Sequence, residues 1–215
     1  MKSLILYYSY RGNTQRIAER IHSAIGGDIA RIDTVVPYTG SYDDVVAQGE
    51  QEVKRGFLPE LKAMDIDLDR YDTIVLGTPV WWYTCAPATR AFLTAHDLSG
   101  KTVYPFATNG GWLGRTLKDV AALCPGADVK PGLDVHFDDT TLRTPAKTSD
   151  RWIAAIHDGG GIAMKNRIPV LTGAIMLLSL AACGSRTAAP EATTAPAAAG
   201  GKTLVVYFSA TGSTK

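Results

Sequence analysis

Lys2-Ser-Leu-Ile-Leu-Tyr-Tyr-Ser9-Tyr-Arg-Gly12-Asn-Thr14 sets the architecture of the chain. Its first half is an apolar run of strand length, and its second half is a loop of hydroxyls, one glycine and one asparagine. A helical pattern follows at once: Ile17, Ala18, Ile21 and Ile25 share one face, while Arg16, Glu19 and Arg20 fall off it. A strand that passes through such a loop into a helix builds an anion site. The first N–H groups of the helix lack intrahelical partners and sit at the positive end of its dipole. Gly12 lets the backbone close on the anion, and Ser9, Asn13 and Thr14 add side-chain donors. Neither the three-glycine dinucleotide loop nor the Gly-Lys-Ser/Thr triphosphate loop is present, so the spacing predicts a single terminal phosphate held by hydroxyls and amides.

Downstream, strand and helix patterns alternate. A second strand is expected over residues 27–34, after the Gly26-Gly27 helix stop, and a polar helix over 41–55 with Ser41 as its cap and Val45, Val46 and Val53 as a thin apolar stripe. The run Tyr71–Gly77 has the composition of a strand buried on both faces. A helix over 86–96, a strand over 101–107, a helix over 113–123, a strand over 129–137 and a closing helix over 148–157 complete the series. This rhythm predicts parallel βαβ units in an α/β, doubly wound, five-stranded parallel sheet of order 2-1-3-4-5, layered between helices. In such sheets a ligand sits outside the carboxyl ends of the strands, at the switch point between strands 1 and 3.

Three loops leave those carboxyl ends: Ser9–Thr14, then Thr78-Pro79-Val80-Trp81-Trp82-Tyr83, then Thr108-Asn109-Gly110-Gly111-Trp112. A flat polycyclic ligand needs an aromatic face and nearby backbone polar groups. Trp81, Trp82 or Tyr83 can supply the face, Trp112 stands on the other loop, and Gly110 and Gly111 permit close backbone approach. Together these segments resemble the flavodoxin family over residues 1–157, in the branch with Pro-x-Trp-Trp in the second loop and Gly-Gly in the third. The resemblance implies FMN bound without a covalent link. It gives Ser9, Tyr10, Arg11, Gly12, Asn13 and Thr14 to the phosphate, Pro79, Val80, Trp81 and Trp82 to the flanks of the ring, and Thr108 to Gly111 to its polar edge. Arg11 departs from the pattern, in which a small residue is common.

Because the cofactor carries the chemistry, no catalytic residue is expected. The resemblance implies an electron carrier that meets redox partner proteins. A flavin-dependent NAD(P)H oxidoreductase acting on a quinone or similar acceptor is the second reading, and a non-catalytic binding domain the third. Flavin carriers are commonly strongly acidic where they dock, whereas residues 1–157 hold 17 Lys and Arg against 19 Asp and Glu, about −2. The whole chain, 215 residues at net +1, is not charged like a nucleic-acid binder. Its three cysteines, Cys85, Cys124 and Cys183, form no metal-binding spacing, and Cys85 and Cys124 read as buried thiols of a cytoplasmic domain. Asp65, Asp67, Asp69 and Asp72 lack the glycine and glutamate of a calcium loop and read as a solvated turn.

After a Gly-rich linker at 158–163 the composition changes. A basic Lys165-Asn-Arg167 leads into an apolar run of about fifteen residues, ending in Leu180-Ala-Ala-Cys183. The run is short for a membrane span of roughly twenty residues. Residues 164–183 resemble a bacterial lipoprotein signal with Cys183 as the lipidation candidate, which implies membrane association or export of the residues beyond it. An Ala/Pro/Thr linker over 184–201 precedes Lys202-Thr-Leu-Val-Val-Tyr-Phe-Ser209-Ala-Thr-Gly212-Ser-Thr214, which repeats the opening strand and loop. Residues 202–215 are therefore expected to be the start of a second copy, by tandem fusion or across a misread gene boundary.

Overall fold

The computed structural model describes residues 2–157; the expectations for the linker, the Cys183 segment and the second strand-and-loop lie outside the described residues. The elements run β1 (Ser3–Tyr7), α1 (Asn13–Ile25), β2 (Asp28–Arg31), α2 (Tyr42–Arg55), β3 (Thr73–Trp81), β4 (Thr84–Cys85), α3 (Pro87–Ala95), β5 (Thr102–Asn109), α4 (Thr116–Ala122), β6 (Asp128–Val129), β7 (Leu133–Asp138), β8 (Thr141–Leu142) and α5 (Ala146–His157). The long strands pair in parallel in the order β2-β1-β3-β5-β7, which is the 2-1-3-4-5 order expected.

Alternation along each strand divides the core into two layers. Leu4, Leu6, Ile74, Leu76 and Val103 face Val45 of α2, Phe92 of α3 and Val120 of α4. Ile5, Tyr7, Val75, Tyr104 and Phe106 face Ile17 and Ile21 of α1 and Ile153 and Ile156 of α5. Both faces of the central strands are thus covered, which is why their sequences read as continuous apolar runs. Gly77 leaves the space that the Phe106 ring fills; a Cβ there would lie 2.2 Å from it. Ser41 caps α2 as expected, in a reciprocal box with Asp44.

The structure corrects three details of the sequence reading. The five strands are joined by three two-residue strands, giving an eight-stranded sheet. The strand expected over 129–137 is interrupted: Pro131 has no N–H to donate, so pairing stops after β6 and resumes in β7. The segment from Thr78 is not a loop at its start. β3 continues through Thr78, Pro79, Val80 and Trp81, and β4 folds back on it, with Trp81 opposite Thr84.

Candidate functional site

The first loop is built around Ser9, which is buried; its hydroxyl accepts from the N–H of Gly12 (3.1 Å) and of Gln15 (3.3 Å). Gly12 has φ of 91° and precedes the first turn of α1, so the glycine answers a backbone requirement rather than a shortage of space. With the Gly12 and Gln15 amides taken by Ser9, the amides of Asn13 and Thr14 lie in the first turn with no carbonyl of their own helix to meet. Arg31, on β2, braces the loop by donating to the Ser9 carbonyl (2.9 Å) and to Gln15 Oε1 (3.2 Å).

Contacts tie the three loops to one end of the sheet. The buried hydroxyls of Thr14 and Thr108 are hydrogen-bonded at 2.8 Å, linking the first loop to the third. Tyr10 packs edge-on against Trp81, with ring centroids 5.7 Å apart, linking the first to the second. Pro79 stands opposite Thr108 across β3 and β5, and Tyr83 packs edge-on against Trp112 at 6.2 Å. Gly12, Trp81 and Gly110 therefore belong to one connected region at the carboxyl ends of β1, β3 and β5.

Within that region the residues differ in availability. Thr78 faces inward: its hydroxyl receives the Ala86 N–H and the Thr89 hydroxyl, both at 3.1 Å. Trp81 is only 8% exposed and lies under α2, where Gly49 makes room; a Cβ on Gly49 would stand 2.3 Å from its Nε1. Trp82 is half-buried and donates its indole N–H to the Val46 carbonyl at 2.6 Å. Tyr83 and Trp112 are exposed, Pro79 and Val80 half-buried. Trp82 and Tyr83 form the two-residue turn of the β3–β4 hairpin with φ of 48° and 65°. Positive φ at both positions is the requirement that normally selects Asn-Gly, so two aromatic side chains here are held against their backbone preference.

The third loop is shaped by Asn109, whose Oδ1 accepts from the Gly111 N–H (2.8 Å) and whose Nδ2 donates to Asp134 (2.6 Å). Gly110 is exposed with open space where a Cβ would be, and Gly111 has φ of 115° beside the His136 ring. A fourth segment, the β7–β8 turn, joins the site and was not read from the sequence. Asn13 Nδ2 donates to the Asp139 carbonyl (2.7 Å), Arg16 to the Thr140 carbonyl (2.6 Å), and Arg11 pairs with the Asp139 carboxylate at 3.7 Å. Arg11 also lies 5.7 Å from the Tyr42 ring, so its head is held at the rim between two neighbours. The alternation of Leu133, Val135 and Phe137 followed by Asp138-Asp139-Thr140 was the available signal for that hairpin. Arg31 and Tyr38, which also brace the region, carried none.

Polar donors at a helix start, backbone left bare by glycine, and aromatic rings at the rim can together hold a phosphate at one end and a flat ring at the other. A cleft of about 430 Å³ also opens between the 58–68 segment and α3, but its lining includes none of these loop residues.

A family model described as Flavodoxin matches residues 2–146. Among solved structures, the chain is similar to a candidate flavoprotein from Bacteroides eggerthii DSM 20697, at 30% identity over 72% of this chain and 97% of that one, TM-score 0.62. A flavoprotein from Lactobacillus acidophilus NCFM, solved in complex with FMN, matches at 24% identity over 70% of this chain and 97% of its own, TM-score 0.56. No curated protein matches the sequence.

Proposed function

The chain belongs to the flavodoxin family, and we propose that its 2–157 region binds FMN without a covalent link and passes electrons between redox partner proteins. The observation that carries this reading is the Thr14–Thr108 hydrogen bond, which ties the glycine-bearing loop before α1 to the Gly110-Gly111 loop. The residues fit the group. The amides of Asn13 and Thr14 with the Asn13 side chain suit a terminal phosphate, and Arg11 stands at the rim to meet its charge. The backbone of Gly110 and Gly111 is bare enough to meet the polar edge of the isoalloxazine, and Trp82, Tyr83 and Trp112 offer aromatic faces. FMN supplies one- and two-electron redox chemistry; the protein's part is to hold the ring, limit its exposure to water and set the charge around it.

A second reading, a flavin-dependent NAD(P)H oxidoreductase with a quinone or similar acceptor, is favoured by one observation. Tyr83 and Trp112 are 54% and 69% exposed beside the site, in a domain of only weak negative charge, which suits a flat small-molecule partner better than a basic protein. The visible absorption of the purified protein tests both readings. A flavin spectrum that NAD(P)H alone leaves unchanged, but that a reduced partner protein bleaches, is the result expected of a carrier. Rapid bleaching by NAD(P)H transfers the assignment to the oxidoreductase. A colourless protein that takes up no added FMN contradicts both.

The cytoplasmic location of the domain and membrane attachment through 164–183 are further parts of this proposal, resting on sequence alone. Fractionation of cells with detection of the 2–157 region checks them: recovery with the membranes is expected only if the chain stays joined to a lipidated Cys183.

A further inference from the structure

Beneath α2, four aromatic side chains form a connected cluster. Trp81 is at its centre, with ring centroids 5.0 Å from Tyr38, 5.7 Å from Tyr10 and 6.4 Å from Tyr8. Tyr10 belongs to the loop before α1, so the cluster begins at the ligand end of the sheet and runs inward. Two of its polar hydrogens are treated differently. The Trp81 indole N–H is buried with no hydrogen-bond partner among the described residues. The Tyr38 hydroxyl donates to Glu52 Oε2 at 2.7 Å. Glu52 is itself only 4% exposed; its other oxygen accepts from Gln48 Nε2 at 2.7 Å, and no cation pairs with it among the described residues. A carboxylate buried without a counter-ion is costly, and holding a flavin gives it no work to do.

We propose that Tyr38 and Glu52 are a coupled electron-and-proton donor, wired through Trp81 and Tyr10 to the ligand loops, that fills a one-electron vacancy created there. An indole that loses an electron becomes a radical cation and relaxes by giving up its N–H proton. Trp81 has no acceptor for that proton, so it stays strongly oxidising and draws an electron from Tyr38, its nearest aromatic neighbour in the cluster. As the electron leaves, the Tyr38 O–H bond breaks and its proton forms a new O–H bond on Glu52 Oε2. Trp81 returns to its neutral closed-shell form, Tyr38 becomes a neutral radical and Glu52 a neutral carboxyl group, so charge and atoms balance. Return of one electron from the loops reverses both transfers. Burial, aided by the bond to Glu52, pushes the ionisation of Tyr38 up, so its proton departs only with the electron. The oxidant is a photoexcited oxidised flavin held by the loops, and to that extent the relay rests on the FMN reading. Its effect is to move oxidising damage away from the ligand.

A light flash on the FMN-loaded full chain, followed by transient absorption, tests this. Loading is read first, from the visible spectrum. The wild type should form a tyrosyl radical after a short-lived tryptophan radical cation. Tyr38→Phe should lose the tyrosyl signal and leave the tryptophan species long-lived. Glu52→Gln, which keeps the shape and removes the base, should form the tyrosyl radical more slowly and in lower yield. A loaded protein in which Tyr38→Phe behaves as wild type overturns the relay and leaves FMN binding standing. If no flavin is taken up, the FMN reading fails instead, and the relay is decided by azidyl-radical oxidation of the flavin-free chain in a Tyr83→Phe background. There, hole transfer from tryptophan to tyrosine that needs Tyr38 supports the proposal, and transfer indifferent to Tyr38→Phe refutes it.

Discussion

Two aromatic groups flank the same end of the sheet, and they are built for opposite ends. Under α2, Trp81 packs with Tyr8, Tyr10 and Tyr38 and is nearly sealed from water. At the hairpin tip, Tyr83 meets Trp112, and both stand open to solvent. Trp81 and Tyr83 are two residues apart, so composition does not separate them; backbone geometry does. Trp81 is the last residue of β3 and its side chain follows the strand inward, whereas the left-handed turn at Trp82 and Tyr83 throws the Tyr83 ring outward. The difference teaches that burial alone suits the inner group to holding the fold, and, on the functions proposed above, to supplying electrons, while the outer group is free to meet a ligand.

Substitutions can break that division, beginning with the largest effect. Trp81→Ala should cost about 3–5 kcal/mol of stability, the usual range for removing a large buried aromatic, as read by urea unfolding. Thr14→Val should cost about 1–3 kcal/mol, because it leaves the buried Thr108 hydroxyl without its partner; Thr14→Val with Thr108→Val should recover part of that loss. Trp112→Ala should leave the unfolding midpoint nearly unchanged but weaken FMN binding by about 0.5–1.5 kcal/mol beyond lost contact area, as read by fluorescence titration. Equal losses of stability for Trp81→Ala and Trp112→Ala would abolish the distinction. The smallest effect is expected from Tyr83→Gly, which relieves a positive φ and should raise stability by about 0.5–1 kcal/mol while lowering ligand affinity.

Much of the architecture was legible because strands and helices of this class announce themselves by period. Apolar runs such as Ile74–Leu76 and the Ile17/Ile21 spacing give the alternation, and alternation with short connections leaves few topologies. The hairpin at Trp81 was not legible, since Thr78-Pro79 reads as the end of a strand although β3 runs on through it. The inward face of α2 was legible in part: Val45 is buried and Val53 packs against the core, as the Val45, Val46 and Val53 stripe suggested. The other two buried positions, Gly49 and Glu52, are a glycine shaped to Trp81 and a carboxylate shaped to Tyr38, and they carry no hydrophobic signature. The site loops themselves were visible as three segments in order. Their bracing by Arg31 and by the β7–β8 turn depends on contacts across the fold that no local pattern records.

A nucleotide, and not merely a flat ring, is expected to be gripped between the first loop and the third. Parallel fluorescence titrations of the full chain with FMN and with riboflavin test this directly. FMN should be quenched and bound tightly, and riboflavin, lacking the phosphate that the amides of Asn13 and Thr14 would receive, should bind much more weakly. Equal affinity for the two, or no quenching of either, would contradict it.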